Sequence, residues 1–367
     1  MTTSTICTRS IAAAVAISLA ALFSPVASAQ TTATTVPVGF ITKTVPAATS
    51  ASSPSSIVVS VPLYATAAFT SGAASIDSAT QVTLSSAAWT VNQFAIPGVP
   101  VSAGVQNPHL LRVKSGAGAG LFFAIASNTN NQLTVILPPS VSSLVGVIGV
   151  GDSCEVVPAN TLGSVFGSAA VPPVLASGAD PSTADNVLIW TGTTWQTYFW
   201  TGLDTTPNNI WKRTGNVDRG NTVIFPDDAV FIVRRSTIGP VSLTFMGTVP
   251  STVEKSEVNP VGSTFLSNRF PVDMTLGGLG LQNIPGWIAG DSPDIADNVF
   301  IWATPPAVPV ATWQTYYWTG ASGSPANIWK RTGNIDRSST AIPASTGVFL
   351  THRGALLTLT QVLPYTP

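Results

Sequence analysis

An internal repeat constrains the fold of this 367-residue chain more than any other feature. Three blocks recur almost unchanged: ADNVLIW at 184–190 as ADNVFIW at 296–302, TWQTYFWTG at 194–202 as TWQTYYWTG at 312–320, and NIWKRTGNVDR at 209–219 as NIWKRTGNIDR at 327–337. Of the 27 aligned positions 24 are identical, and the other three are conservative. Because a repeat of this kind reports one structural unit used twice, we predict two β-units with the same architecture.

Each copy of the repeat reads as a series of short strands. In the first copy, residues 187–190 and 195–200 flank a Thr-Gly-Thr-Thr turn, and the strand at 229–235 follows a Pro-Asp-Asp turn. Such turn residues at short intervals are typical of β-structure, and no stretch has sustained helical periodicity. We therefore predict an all-β fold with two duplicated β-sandwich-like units.

The sequence also predicts a module inserted into the first unit. A strand ending in proline, TFLSNRFP at 264–271, stands directly before the second copy, whereas the comparable IVVSVP at 57–62 lies far upstream of the first copy. We predict that residues 30–64 contribute N-terminal strands to unit one and that 65–158 form an inserted small β-barrel-like module. The repeat copies then occupy 159–250 and 251–367. Barrel closure is expected because it removes exposed strand edges.

The first 29 residues have the features of a secretory signal peptide. Arg9 precedes an apolar run at 11–23, and Ala27, Ser28 and Ala29 form a small-residue cleavage site before Gln30. The apolar run is shorter than the ~20 residues that span a bilayer, so we expect no integral membrane anchor. We predict export to the periplasm, the cell surface or the extracellular space. The exported chain keeps Cys154 alone, which excludes an internal disulfide.

Composition argues against one class of partner. Charged residues make up 8% of the chain, and the formal net charge is −1, whereas an ordinary soluble domain is about 25% charged. Nucleic-acid binding needs a clustered basic face, which this chain does not supply, so we expect no nucleic-acid partner.

Several short motifs resemble an uncharacterised family of exported proteins found mainly in Verrucomicrobia. The motifs are residues 36–44, Pro62, the glycine-rich turn before 123–128, Gly151-Asp152, TLGSVF at 161–166, Ala184-Asp185 and residues 225–235. The resemblance covers nearly all of the exported chain. It implies export, and it assigns no activity, cofactor or functional residue.

Aromatic side chains give the strongest candidate for a binding site. Strand alternation places Trp195 and Phe199 on one face of their strand and Tyr198 and Trp200 on the other, so both faces carry large rings. One face fills the core; the other is either a platform on which sugar rings stack or a surface covered by a second layer. The candidate ligand-binding residues are Trp195, Tyr198, Trp200, Trp211, Trp313, Tyr316, Trp318 and Trp329.

Catalytic and metal-binding motifs find little support in the sequence. The two histidines, His109 and His352, lie near no nucleophile motif, and no serine stands in a G-x-S-x-G context. Asp218 and Asp336 sit in repeated loops, where capping of a turn is the expected role and calcium binding is the alternative. We expect no enzyme activity, no cofactor and no metal site.

The sequence thus leads to two functional hypotheses. The first is an exported, non-enzymatic structural or adhesive protein of the cell envelope or exterior. The alternative is a carbohydrate-binding module that uses the repeated aromatic strands. A cell-surface polymer or glycan and self-association are the partner classes that remain open.

Overall fold

The computed structural model describes residues 37–50, 52–94, 108–260, 262–304 and 311–366. The predicted signal peptide at 1–29 lies outside these ranges. Within them the chain forms twenty-two strands, one short α-helix and two 3₁₀ helices, and all pairings between these strands are antiparallel. The predicted all-β class is confirmed.

The first five-stranded sheet combines N-terminal and central segments of the chain. Its strand order is β11-β10-β9-β12-β2, with β2 at Ser55–Val59, β9 at Asn186–Trp190, β10 at Trp195–Trp200, β11 at Trp211–Lys212 and β12 at Val230–Arg234. β2 pairs with β12, so a strand near residue 57 joins strands that lie more than a hundred residues later. This is the pairing that the sequence predicts for the N-terminal strands.

A two-stranded ribbon covers one face of this sheet. It consists of β1 (Val38–Val45) and β13 (Val241–Thr248), paired along their whole length. Leu243 and Phe245 alternate with exposed residues and pack into one core with Val187 and Trp200 of the sheet. The helix α1 (Leu162–Phe166) closes this core with its two buried apolar side chains. Sheet, ribbon and helix together give the sandwich-like arrangement.

The second five-stranded sheet has the equivalent strand order β19-β18-β17-β21-β15. Its strands are β15 (Gly262–Ser267), β17 (Asn298–Ala303), β18 (Thr312–Trp318), β19 (Trp329–Lys330) and β21 (Gly347–His352). A ribbon of β14 (Glu254–Val258) and β22 (Leu357–Gln361) packs on it, as β1 and β13 pack on the first sheet. The short pair β16 (Met274–Thr275) and β20 (Ala341–Ile342) and the 3₁₀ helices Gly277–Leu279 and Leu281–Asn283 complete this core.

Residues 69–158 contain a closed six-stranded barrel, as the sequence predicts for this part of the chain. The strands close in the order β3-β4-β7-β6-β5-β8, with β3 at Phe69–Ile76, β4 at Gln81–Leu84, β5 at His109–Val113, β6 at Phe122–Asn128, β7 at Gln132–Ile136 and β8 at Ser153–Pro158. Leu111, Phe123 and Val156 are fully buried in its interior. A closed barrel leaves no strand edge open for pairing with another chain.

Candidate functional site

The outer faces of the two five-stranded sheets pack against each other through aromatic side chains. Val58, Ala229 and Phe265 are buried at the centre of this contact. Five rings surround them, Trp190 and Phe231 from the first sheet and Trp302, Trp313 and Phe349 from the second. We call this contact the aromatic interface.

Equivalent residues of the two sheets make reciprocal contacts across the aromatic interface. The indole nitrogen of Trp190 donates to the carbonyl of Ser263 over 3.0 Å, and that of Trp302 donates to the carbonyl of Ser56 over 2.9 Å. The stacked rings of the two sheets are reciprocal in the same way.

Trp195 stacks on Phe349 with centroids 6.0 Å apart, and Trp313 stacks on Phe231 with centroids 5.9 Å apart. The two sheets therefore meet with approximate twofold symmetry, as two identical subunits would in an isologous contact.

The structure places most of the predicted ligand-binding rings away from solvent. Tyr198, Trp200, Trp211, Tyr316 and Trp329 are buried, Trp313 and Trp318 are half-buried, and Trp195 is 36% exposed. The indole nitrogens of Trp211 and Trp329 donate to Gly167 and Gln282 inside the two cores. The opposite sheet lies on the second ring face, where Trp195 stacks on Phe349 and stays partly exposed.

The repeated aspartates in the loops act as turn caps. One carboxylate oxygen of Asp218 accepts hydrogen bonds from the backbone nitrogens of Trp211 and Gly220, at 3.2 and 2.8 Å. Asp336 accepts from Trp329 and Ser338 in the same way. Capping is thus the role that these side chains have, as the sequence predicts.

A buried charged cluster joins the barrel to the second sandwich-like unit. Glu254, which is fully buried, pairs with Arg112 of the barrel at 2.8 Å and with Arg269, and both arginines are at most 2% exposed. Arg269 also donates to the hydroxyl of Tyr64 over 3.1 Å, and Arg112 lies over the Tyr64 ring at 4.8 Å. Burial raises the pKa of Tyr64, so its phenol keeps its proton. We call these residues the charged cluster.

The backbone of the barrel approaches β14 closely beside the charged cluster. Gly120 has a φ of +88°, and its carbonyl accepts a hydrogen bond of 3.1 Å from the nitrogen of Lys255. A Cβ atom at this glycine would lie 2.5 Å from the carbonyl oxygen of Val253. Both the conformation and the contact therefore require glycine here.

A cavity of about 360 Å³ opens where the barrel, the turn before β12 and the β14–β15 segment meet. We call it the junction cavity. The barrel contributes apolar walls that include Leu121, Phe122 and Pro138, and Phe225 adds a further ring. The polar wall consists of Asp227, Asp228, Lys255, Glu257, Asn259, Thr264 and Arg269. All of these polar residues except Arg269 are half-buried.

The carboxyl group of Asp228 is the most strongly perturbed acid in this wall. Burial raises its pKa well above the ordinary value, and the negative charge of Asp227 raises it further. A backbone hydrogen bond from Phe225 and the charge of Arg269 oppose this rise. A carboxyl with a raised pKa in a cleft is a feature of functional sites.

Sequence reasoning did not find the junction cavity. Its polar residues come from two regions about thirty positions apart, and its apolar wall comes from the barrel. One signal is present in the repeat, as a difference between the two copies. The flanking strands match, but Asp227 and Asp228 of the first copy are replaced by Ser345 and Thr346 in the second, 118 residues later. The acidic pair therefore belongs to unit one alone.

Both ring nitrogens of His352 are held by partners within the fold. His352 is buried between two acceptors, with Nδ1 2.8 Å from a carboxylate oxygen of Asp297 and Nε2 2.7 Å from the carbonyl of Ala355. Among the described residues no three His, Cys, Asp or Glu side chains are grouped so that they could hold a metal ion.

The chain was also compared with known proteins. No protein-family model, no curated protein and no solved structure matches it. In the ranges that the structure describes, no helix has the length and apolar character needed to cross a membrane.

Proposed function

We propose that this protein is an exported, non-enzymatic structural or adhesive protein of the cell envelope or the cell exterior. The observation that carries the proposal is the use of the large rings: they fill two cores and the aromatic interface between them. Buried aromatic rings dominate packing energetics. Rings placed in this way therefore stabilise each unit and hold the two sheets together.

The charged cluster supports the same proposal. Arg112, Glu254 and Arg269 tie the barrel to the second unit with ion pairs that are almost completely buried. Removing one partner of a buried ion pair is costly, so such a cluster favours a single arrangement of the parts. Defined spacing between parts is what a structural or adhesive protein of the cell exterior needs.

Export is supported by the sequence of the first 29 residues, whose apolar run and cleavage site predict a signal peptide. The location test uses the tagged full-length protein in the cells that make it, followed by fractionation and N-terminal sequencing. We expect recovery in the envelope or the medium, with Gln30 as the first residue.

A matched control is the Leu19→Asp variant, which interrupts the apolar run and is expected to stay in the cytoplasm. Recovery of the unaltered protein in the cytoplasm would overturn the export proposal. Recovery only as a free periplasmic monomer with turnover activity would overturn the structural and adhesive proposal.

A further inference from the structure

The junction cavity has the size of a ligand site. Its volume of about 360 Å³ falls within the range of roughly 300–1,000 Å³ that is typical of small-molecule pockets. Its wall carries both apolar and polar groups, and the polar groups other than Arg269 are half-buried. A pocket with apolar walls and a few convergent polar groups is the usual form of a binding site.

The two walls of the cavity suit a ligand with both apolar and hydroxyl surfaces. Phe122 and Phe225 supply ring surface, and Asp227, Asp228 and Asn259 supply acceptors and an amide. A sugar ring presents C–H groups on its faces and hydroxyl groups around its edge. Such a ligand contacts the rings with its faces and the carboxylates with its edge.

The charges of the wall favour a neutral ligand. Its three carboxyl groups, on Asp227, Asp228 and Glu257, stand with the cations Lys255 and Arg269. Because carboxyl groups and cations line the same wall, a charged ligand of either sign would face groups of like charge. A hydroxyl group suits such a wall, since it donates to a carboxylate and also accepts from an ammonium or amide group.

Some of these side chains already have partners that hold them in place. Glu257 accepts a hydrogen bond of 2.7 Å from the backbone nitrogen of Ser140, and Asn259 donates to the carbonyl of Ser263 over 2.9 Å. Each keeps further hydrogen-bonding capacity, because a carboxylate has several lone pairs and an amide has two N–H groups and an oxygen. The polar wall is therefore positioned before a ligand arrives.

We propose that the junction cavity binds a single neutral sugar unit, as the terminal residue of a glycan would present it. The proposal deepens the adhesive function and rests on it, because it supplies the contact with a cell-surface polymer. It moves the glycan contact from the aromatic strands, whose rings are mostly buried or half-buried, to the meeting point of the barrel and both sandwich-like units.

Calorimetric titration of the purified exported chain tests the proposal. The neutral probes are D-glucose, D-galactose, D-mannose and N-acetyl-D-glucosamine, and the charged probes are D-glucosamine and D-glucuronate. We expect saturable binding of at least one neutral sugar and weaker binding of both charged sugars. Absence of saturable binding for all four neutral sugars overturns the proposal, and so does tighter binding of either charged sugar.

Substitutions locate the site. The isosteric double variant Asp227→Asn, Asp228→Asn should weaken binding at least tenfold, because the charge-assisted hydrogen bond to Asp227 is lost and both side chains lose acceptor capacity. The control Asp204→Asn removes an exposed acid that lies outside the cavity wall, and it should leave binding unchanged. Equal affinities in the wild type and the double variant place the sugar elsewhere and overturn the proposal.

Folding is checked separately by thermal unfolding of each variant. If the double variant does not fold, the single variant Asp227→Asn takes its place with the same expected direction. Binding by the purified chain is independent of where the cell places it. A failed titration with correct envelope localisation rejects the sugar site alone, whereas a cytoplasmic location rejects the proposed function.

Discussion

The indole nitrogen of Trp302 donates a hydrogen bond of 2.9 Å to the backbone carbonyl of Ser56 on the opposite sheet. Trp302 and Ser56 are 246 residues apart in sequence, so this bond closes one of the longest connections in the chain. Its counterpart runs from Trp190 to Ser263. Two reciprocal bonds of this kind fix the register of one sheet on the other.

The Trp302→Phe variant tests this bond. It keeps a ring against Phe231, whose centroid lies 4.9 Å from that of Trp302, but it removes the donor. We expect the free energy of unfolding to fall by about 1 kcal/mol, the net contribution of one intramolecular hydrogen bond. Denaturant unfolding measures the change.

Trp318→Phe is the control for this prediction, since the indole nitrogen of Trp318 makes no hydrogen bond with any described residue. Its loss of stability should be smaller than that of Trp302→Phe. A larger loss in the control would mean that ring volume, rather than the hydrogen bond, decides the result.

The charged cluster gives a second prediction. Glu254→Gln removes the carboxylate that both Arg112 and Arg269 contact. Breaking a buried ion pair in this way costs about 3–5 kcal/mol, because it leaves charge buried without compensation. The comparison variant is Lys114→Gln, which breaks a more exposed pair with Glu155 and should cost about 1 kcal/mol or less. Equal losses in the two variants would contradict the role assigned to the cluster.

A third prediction concerns the pH dependence of stability. The pKa of Asp228 in the folded chain is raised by burial and by Asp227, so it lies above the value in the unfolded chain. A group of this kind contributes stability below its unfolded pKa, and that contribution is lost as the pH rises through the folded pKa. Asp228→Asn cannot ionise, so the loss does not occur in this variant.

We therefore expect Asp228→Asn to be more stable than the wild type at neutral pH. The difference should shrink as the pH falls toward the ordinary pKa of an aspartate, about 3.9. Urea unfolding at a series of pH values measures both curves. Parallel curves for the two proteins would refute this prediction.

A fourth prediction compares two glycines of the barrel that have nearly the same φ angle. Gly120 and Gly151 have φ angles of +88° and +89°, but a Cβ at Gly120 would meet the Val253 carbonyl, whereas a Cβ at Gly151 would have no atom within 4 Å. Alanine at either position costs about 1–3 kcal/mol in backbone strain. Gly120→Ala should cost about 1–3 kcal/mol more, because the added atom overpacks the contact.

Thermal unfolding of the two variants gives the difference directly. Since the two φ angles match, the extra loss in Gly120→Ala reports the contact between the barrel and the start of β14. If both variants lose the same stability, that contact is looser than the structure has it.

Much of the fold could be predicted from the sequence, because strand signals are local. The Thr-Gly-Thr-Thr turn and the alternating rings at 195–200 give β9 and β10 directly. Comparison of the two repeat copies shows that the strand at 264–271 before the second copy has its counterpart at 57–62, far upstream of the first copy. This displaced strand predicts the pairing of β2 with β12.

The aromatic interface and the charged cluster could not be predicted in the same way, because they depend on which strand faces pack against each other in the folded chain. Strand alternation places Trp195 on one face of its strand but does not say whether that face is exposed or packed. The packing follows from the position of Phe349 on the other sheet. Likewise Arg112 and Glu254 lie 142 residues apart, and no periodicity links them. Sequence shows which residues share a face of a strand, whereas the partner of that face is set by tertiary packing.

The last prediction concerns Cys154, the only cysteine of the described residues. It lies inside the barrel with no exposed surface, and burial raises the pKa of its thiol to about 12, with further contributions from Asp152 and Glu155. The thiolate is the reactive form, so at pH 8 the native thiol should resist a disulfide reagent such as dithionitrobenzoate.

In urea the barrel opens, the pKa of the thiol returns toward its ordinary value of about 8.5, and labelling should follow. In a sample that starts at Gln30, Cys154 is the one reporter thiol, and its labelling rate as a function of urea concentration gives the stability of the barrel. Rapid labelling of the native chain would show that the barrel opens without global unfolding, which contradicts the closed six-stranded structure.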